Sequence, residues 1–166
     1  FGSEQQPLGT EAGYQHIWRE ASAAVAGPLR LTWLDGNRYY TLLTAGAEAG
    51  EFFFGRSGAS DPSFNLISEP IFILRKEGQN YLFASVIEPH GWFSEAHEQS
   101  RDARGRLTTV KVIGHDETGS VVEVEGANNL RWRIMVSNGP ASSTAVHTMN
   151  LNGTSFSWTG NYRFEF

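Results

Sequence analysis

The feature that most constrains the fold is a series of short apolar runs, alternating with polar residues and separated by turn-forming residues. After Leu29 these runs recur about every 8 to 12 residues, a spacing typical of antiparallel strands. Within "NLRWRIMV" and "NYRFEF" the apolar side chains fall on one side of an extended chain, and these are Leu130, Trp132, Ile134, Val136, Tyr162, Phe164 and Phe166. We expect that side of each segment to face the core.

Turn-forming residues between the apolar runs predict where the hairpins lie. Asp35-Gly36, followed by Asn37, separates the runs "LRLTWL" and "RYYTLLT", and this pair of residues favours a tight turn. Residues 77–80 and 116–119 have the same character, which predicts a second and a third antiparallel pair. The pattern predicts an all-β fold, a two-layer antiparallel β-sandwich with a short N-terminal helical or extended segment, and residues 12–25 are the one stretch with helical character.

The length of 166 residues fits one globular domain, so we expect a flexible N-terminal segment over residues 1–13 and a single β-sandwich domain over residues 14–166. Two segments are expected to be surface loops, residues 55–70 and residues 93–106. In the first, Arg56 could pair with Asp61 or remain available to a ligand.

The composition limits the classes of molecule that the chain can be expected to bind. A net charge of −5 without a basic stripe argues against nucleic acid, and the sequence has no apolar run of membrane-spanning length. Cysteine is absent, so the chain has neither disulfides nor thiolate ligands. Eleven arginines against two lysines suit an acidic ligand, because the guanidinium group binds a carboxylate through two hydrogen bonds. Biased codon usage would give the same excess.

No catalytic motif is present, neither a phosphate-binding glycine loop nor a nucleophile elbow. Exposed aromatic rings beside arginine and asparagine are typical of carbohydrate sites, because a sugar ring stacks on an aromatic face. The candidates for such contacts are Arg38, Tyr39, Arg56, Asn65, Trp92 and Phe93. Most aromatic residues of a sandwich are buried, and Trp132 and Trp158 are expected to be core.

A metal site is a further possibility. His16 precedes the first strand, Asp35 lies at the first hairpin, and His90 ends a strand at the rigid corner Pro89-His90-Gly91. Two imidazoles and a carboxylate are enough for a zinc ion with an open fourth position. The alternative is that these three residues are ordinary surface or hydrogen-bonding groups.

Four segments together resemble the C-terminal β-sandwich of alginate and oligoalginate lyases of polysaccharide lyase family 17, within the heparinase II/III-like group. They are "YQHIWREA", "TWLDGNRYYTLLT", "SDPSFNLISEPIFILR" and "FASVIEPHGWFSEAHE". The resemblance covers roughly residues 14–136. One departure is Ile67, since the family usually has arginine after "FNL".

The resemblance implies that an α-helical toroid domain performs β-elimination on a uronate and that the sandwich lines one side of its cleft. It implies zinc held by His16, Asp35 and His90, and contacts from Arg38 and His90 to alginate. It also implies a bacterial protein in the periplasm or secreted. Three functions remain open: a non-catalytic domain of an alginate lyase, an independent alginate-binding module, or a small lyase active alone through His90, Tyr39 and Arg38.

Overall fold

The computed structural model describes residues 2–11, 13–60 and 66–166, and apart from one turn of 3-10 helix at Tyr14–His16 its regular structure is all strand. The all-β prediction is therefore confirmed. The strands in the described residues are β1 Gly2–Pro7, β2 Ile17–Ala24, β3 Leu29–Asp35, β4 Arg38–Ala45, β5 Glu51–Ser60, β6 Leu66–Arg75, β7 Ala84–His90, β8 Trp92–Ser94, β9 Gln99–Arg101, β10 Leu107–His115, β11 Gly119–Gly126, β12 Arg131–Ser137, β13 Val146–Leu151, β14 Thr154–Thr159 and β15 Tyr162–Glu165.

Of the two alternatives for the N-terminal segment, helical or extended, the structure shows the extended one over most of residues 12–25. Residues 17–24 form β2, which pairs with β1 on one side and β5 on the other. A central strand has both rows of backbone groups hydrogen-bonded, and this pairing outweighs a weak helical pattern. In the described part of the chain no helix has the length and apolar character needed to cross a bilayer.

The backbone divides into two compact units. The first comprises Phe1–Gly27 and Ala47–Gln79 and contains an antiparallel sheet in the order β1-β2-β5-β6. Phe52 and Phe53 on β5 are both buried, and the Arg75 guanidinium lies 4.7 Å from the centre of the Phe53 ring. The loop predicted over residues 55–70 is largely the hairpin β5–β6, because residues 55–60 and 66–70 are strand.

The second unit comprises Pro28–Gly46 and Asn80–Phe166 and contains the sandwich. One sheet has the order β3-β4-β7 and the other the order β10-β11-β12-β15, and two small hairpins, β8–β9 and β13–β14, complete the unit. Between the sheets lies a core cluster of Leu43, Ala45, Leu107, Val110 and Val124. The Arg30 guanidinium donates a hydrogen bond to the Leu107 carbonyl, which ties β3 to the start of β10.

Two of the three expected hairpins are confirmed. β3 and β4 pair around Gly36, whose φ of 57° suits glycine, and β10 pairs with β11 around residues 116–118. The pair expected around residues 77–80 is wrong, since β6 pairs with β5 in the first unit and β7 pairs with β4 in the second. Residues 93–106, expected to be one loop, contain the hairpin β8–β9.

The expected core face of β12 requires correction. Trp132 is half-buried against the inter-sheet cluster, but Val136 is 41% exposed, whereas Met135 on the opposite face is only 1% exposed. The opposite face is covered because the β13–β14 hairpin contributes Met149, Phe156 and Trp158 to a second cluster with Met135 and Val121. The expected core residues on and after β15, Tyr162, Phe164 and Phe166, are exposed.

The β10–β11 turn gives a prediction about pH. The Thr118 hydroxyl donates a 2.6 Å hydrogen bond to Asp116 Oδ1, and the N–H groups of Thr118 and Gly119 donate to the same atom. These bonds, that of the Thr118 hydroxyl above all, hold the pKa of Asp116 below its ordinary value of 3.8. Because the folded pKa is the lower one, this stabilisation is present above the ordinary pKa and is lost as pH falls through the folded pKa.

Replacing Thr118 by alanine should therefore raise the pKa of Asp116, which a carboxyl-carbon NMR titration would measure. Glu125 is an internal control, because hydrogen bonds from the side chains of Lys111 and Thr109 lower its pKa independently of Thr118. An unchanged Asp116 pKa in the folded variant would contradict the assignment.

Candidate functional site

His90 ends β7 at one end of the sandwich, and both of its ring nitrogens are hydrogen-bonded. Nδ1 lies 2.8 Å from the Asp102 carbonyl oxygen, which can only accept, so Nδ1 carries the proton. Nε2 lies 2.8 Å from the hydroxyl of buried Thr41, and in neutral histidine it accepts from that hydroxyl. Thr41 in turn accepts from the Thr32 hydroxyl at 2.8 Å. The imidazole is thereby fixed in orientation and tautomer.

Glu88, two residues before His90, holds the neighbouring segment around residues 105–107 in place. Its carboxylate accepts hydrogen bonds from the backbone N–H groups of Arg106 and Leu107, each at 2.9 Å. Gly105 lies so close that an added Cβ would stand 2.5 Å from Glu88 Oε2, so a larger residue would displace the carboxylate. Glu88 consequently anchors the segment that carries Arg104 and Arg106.

These groups surround a cavity of about 390 Å³. It is lined by Glu88, Pro89, His90, Gly91, Asp102, Arg104 and Arg106. The mixture of two arginines, one histidine and two carboxylates makes it polar, and its volume is in the range of sites that hold small molecules. A single sugar ring of a longer chain is the scale of ligand that such a cavity accommodates.

An aromatic wall adjoins the cavity. The N–H of Phe93 donates to the Asn37 carbonyl at 2.8 Å, which fixes β8 against the β3–β4 turn. Trp92 is 41% exposed, and the guanidinium of its cross-strand neighbour Arg101 lies 5.7 Å from the centre of its ring. Such a pair offers an apolar ring face and a cation side by side.

Tyr39 joins this wall to His90. Its hydroxyl is 2.6 Å from the Ser100 hydroxyl on β9, and its ring stacks on His90 with 6.0 Å between centroids. Tyr39 and His90 are direct cross-strand neighbours on β4 and β7. The β8–β9 hairpin is thus held by both Asn37 and Tyr39.

Three arginines at this end of the sandwich form no ion pair among the described residues. Among the described residues no ion pair involves Arg38, Arg101 or Arg104, whereas Arg106 lies 3.8 Å from Glu88. Of these three arginines, Arg104 lines the cavity, whereas Arg38 begins β4 and Arg101 lies on β9 beside Trp92.

Five of the predicted carbohydrate-contacting residues lie at this end, and they are Arg38, Tyr39, His90, Trp92 and Phe93. Arg56 lies in the first unit and is paired with Glu20 at 2.7 Å. Asn65 and Asp61 lie outside the described residues. Sequence reasoning missed Glu88, Arg101 and Arg104, although "SRDARGR" places three arginines within seven residues after the Gly91 corner.

The residues expected to bind zinc belong to two different units. His16 lies in the first unit, Asp35 and His90 lie in the second, and no three His, Cys, Asp or Glu side chains of the described residues are placed to hold a metal ion. The Nε2 lone pair of His90 accepts from Thr41, so the histidine as arranged does not fit a metal. Zinc binding stays a prediction, and elemental analysis of protein purified without chelator tests it.

The fold and these side chains define an all-β chain whose second unit carries, at one end, a polar cavity lined in part by two arginines and an aromatic wall beside it. No family model matches the chain. Over 165 residues, 98% of its length, it is 33% identical to an alginate lyase of Stenotrophomonas maltophilia (strain K279a). Over 161 residues, 92% of its length, it is 29% identical to an exo-oligoalginate lyase of Saccharophagus degradans (strain 2-40).

The chain spans about a fifth of the length of these curated relatives, 22% of the first and 21% of the second. It is therefore similar to one domain-sized part of alginate lyases.

Proposed function

We propose that the chain is a non-catalytic β-sandwich domain of an alginate lyase, which binds uronate-rich polysaccharide and completes the cleft of an α-helical toroid catalytic domain. The observation that carries the proposal is a set of arginines without an ion pair among the described residues: Arg104 lines the cavity beside His90, Arg101 lies beside Trp92, and Arg38 precedes Tyr39 on β4. Similarity to two enzymes named for alginate or oligoalginate supports the choice of ligand.

The chemistry of the site matches a polyuronate. Each sugar of such a chain carries one carboxylate, and a guanidinium group binds a carboxylate through two parallel, charge-assisted hydrogen bonds. The ring of Trp92 provides a face on which the C–H groups of a sugar can stack. Both interactions repeat along a chain, so the site suits a polymer of acidic sugars better than a neutral one.

The same geometry argues against catalysis by this domain alone. β-Elimination requires a neutralised carboxylate, a base for the C5 proton and an acid for the leaving oxygen, all in one groove. The arginines supply the first requirement, but the Nε2 lone pair of His90 faces buried Thr41, and the Tyr39 hydroxyl is bonded to Ser100. Proton transfer is accordingly assigned to the catalytic domain, and the small lyase active alone becomes the weakest of the three functions.

An independent alginate-binding module is the second candidate, and one observation favours it. Trp18 on β2 is 51% exposed and lies directly opposite Arg56 on β5 in the first unit. A ring and a cation on one sheet face resemble the surfaces on which carbohydrate modules bind sugars. Arg56 is already paired with Glu20, which weakens this surface as a carboxylate site.

Titration calorimetry of the chain with oligo-alginate tests the proposal, with a neutral oligosaccharide of equal length as the control. We expect weak binding of the acidic oligomer that diminishes as salt is added, no binding of the neutral one, and no increase in ultraviolet absorbance from unsaturated uronate. Equal binding of both oligomers would contradict recognition of carboxylates. Sustained formation of unsaturated product, lost in His90→Ala, would instead show a lyase active alone.

Location follows from the ligand. A long anionic polysaccharide does not cross a bacterial inner membrane unaided, so the proposal includes a periplasmic or secreted protein. Export of the full-length protein, tested by fractionation of the producing cells, would agree with this part of the proposal.

A further inference from the structure

The second unit exposes an apolar face that the polysaccharide site does not use. Phe166 is 94% exposed, Tyr162 is 70% exposed, and Val136 and Phe164 are each 41% exposed. Val136 and Phe164 line a groove of about 440 Å³ that is mostly apolar and also includes Phe83, Ile134 and Trp132. Contiguous exposed apolar surface of this kind is typical of protein interfaces.

The face ends at an open strand edge. β15 is the outermost strand of the sheet β10-β11-β12-β15, and among the described residues no strand pairs with its outer side. The Asn161 carbonyl accepts from the Ser137 N–H of β12 at 2.8 Å, so residue 161 directs its backbone groups inward. Along a strand these directions alternate, and the N–H and C=O groups of Tyr162 and Phe164 therefore point to the open edge.

We propose that two copies of this chain associate through β15, antiparallel, with Phe164 of each strand opposite Phe164 of the other. Hydrogen-bonded pairing requires that residues directed outward meet residues directed outward, which limits the register to pairs of even-numbered residues. Centring on Phe164 places Tyr162 opposite Phe166 and joins the two apolar faces. The inference does not depend on the proposed function.

Charged residues on β15 favour this register over the two adjacent ones. With Phe164 opposite itself, Arg163 of each copy meets Glu165 of the other. A shift by one step in either direction would place Arg163 against Arg163 or Glu165 against Glu165, and like charges directly opposite destabilise a sheet. Within one chain Arg163 already lies 3.1 Å from Glu165, so the paired strands would form a ring of four alternating charges.

Sedimentation equilibrium of the whole chain and three charge variants tests the pairing. We expect a dimer for the original sequence, dissociation to monomer in Arg163→Glu and in Glu165→Arg, and recovery of the dimer when both substitutions are combined. Circular dichroism confirms that each variant is folded. A monomeric original chain at every concentration would overturn the proposal and leave the apolar face to another domain or protein.

A dimer that persists in both single variants would overturn the proposed strand pairing, and so would failure of the double variant to recover.

In the proposed dimer the two-fold axis passes between the two Phe164 residues. A cysteine at this position gives an independent test of the register, because the chain contains no cysteine of its own. Hydrogen-bonded antiparallel residues have Cα atoms about 5.5 Å apart, within the range that a disulfide bridges. Phe164→Cys should cross-link to a covalent dimer on oxidation, whereas Tyr162→Cys, displaced from the axis by two residues, should not. Cross-linking of both variants alike, or of neither, would contradict this register.

Discussion

Replacing Trp158 by alanine should lower the free energy of unfolding by about 3 to 5 kcal/mol, the range typical when a buried tryptophan is removed. Trp158 is 1% exposed on β14 and packs in the cluster that contains Met135 and Met149. Its ring also stacks on His147, with 5.3 Å between centroids. Chemical denaturation followed by circular dichroism measures the loss.

Trp92→Ala is the matched control, since it removes the same side chain at a site that is 41% exposed. We expect that variant to lose less than about 1.5 kcal/mol while weakening the binding of oligo-alginate. If the two substitutions destabilised the chain equally, Trp158 would not hold the position in the core that the structure gives it.

Substituting alanine for Gly91 should both destabilise the chain and remove oligo-alginate binding. Gly91 has φ 47°, and left-handed backbone costs a residue with a Cβ about 1 to 2 kcal/mol. The added Cβ would also stand 2.2 Å from the Asp102 carbonyl oxygen and 2.3 Å from that of Arg101. The backbone that accepts from His90 would have to move, together with the Arg101–Trp92 pair.

Gly36→Ala separates the two causes. Gly36 also has positive φ, at 57°, but a Cβ there meets nothing within 4 Å. That variant should lose only the stability that a residue with a Cβ costs in a left-handed backbone conformation. Its melting temperature should therefore lie clearly above that of Gly91→Ala. Equal melting temperatures would show that the close approach of the Gly91 backbone to residues 101 and 102 has no energetic consequence.

The turn at Asp35-Gly36 was predictable because its chemistry is local, and the hairpin follows from two adjacent residues. The partner of β7 was not predictable in the same way. β7 follows β6 in the chain, yet it pairs with β4, because a sheet partner is chosen by packing over distances that short turn signals do not report.

β12 shows a second limit of sequence reasoning. Alternation separates two faces but does not say which is buried, and here Met135 is covered by the β13–β14 hairpin while Val136 remains exposed. The β13–β14 hairpin, which lies later in the chain, therefore determines which face of β12 is buried.

The site was predicted in part. The string "EPHGW" predicts His90 and Trp92 as site residues, because its proline and glycine fix the chain in a corner next to both of them. For Arg101 and Arg104 the sequence predicts only a place in a surface loop, because the position of this segment depends on hydrogen bonds that backbone N–H groups donate to Glu88, 18 and 19 residues away. Such bonds have no signature in spacing or composition.

The most direct test of the central claim, that this end of the sandwich binds uronate through unpaired arginines, compares the oligo-alginate affinities of Arg104→Ala and Lys111→Ala. The two variants change the net charge equally, but Lys111 does not line the cavity and is paired with Glu125 at 2.8 Å. Hydrogen bonds to charged groups contribute about 1.5 to 3 kcal/mol, so Arg104→Ala should weaken binding roughly 10- to 100-fold while Lys111→Ala changes it little. Equal affinities for the two variants in calorimetry would contradict the claim.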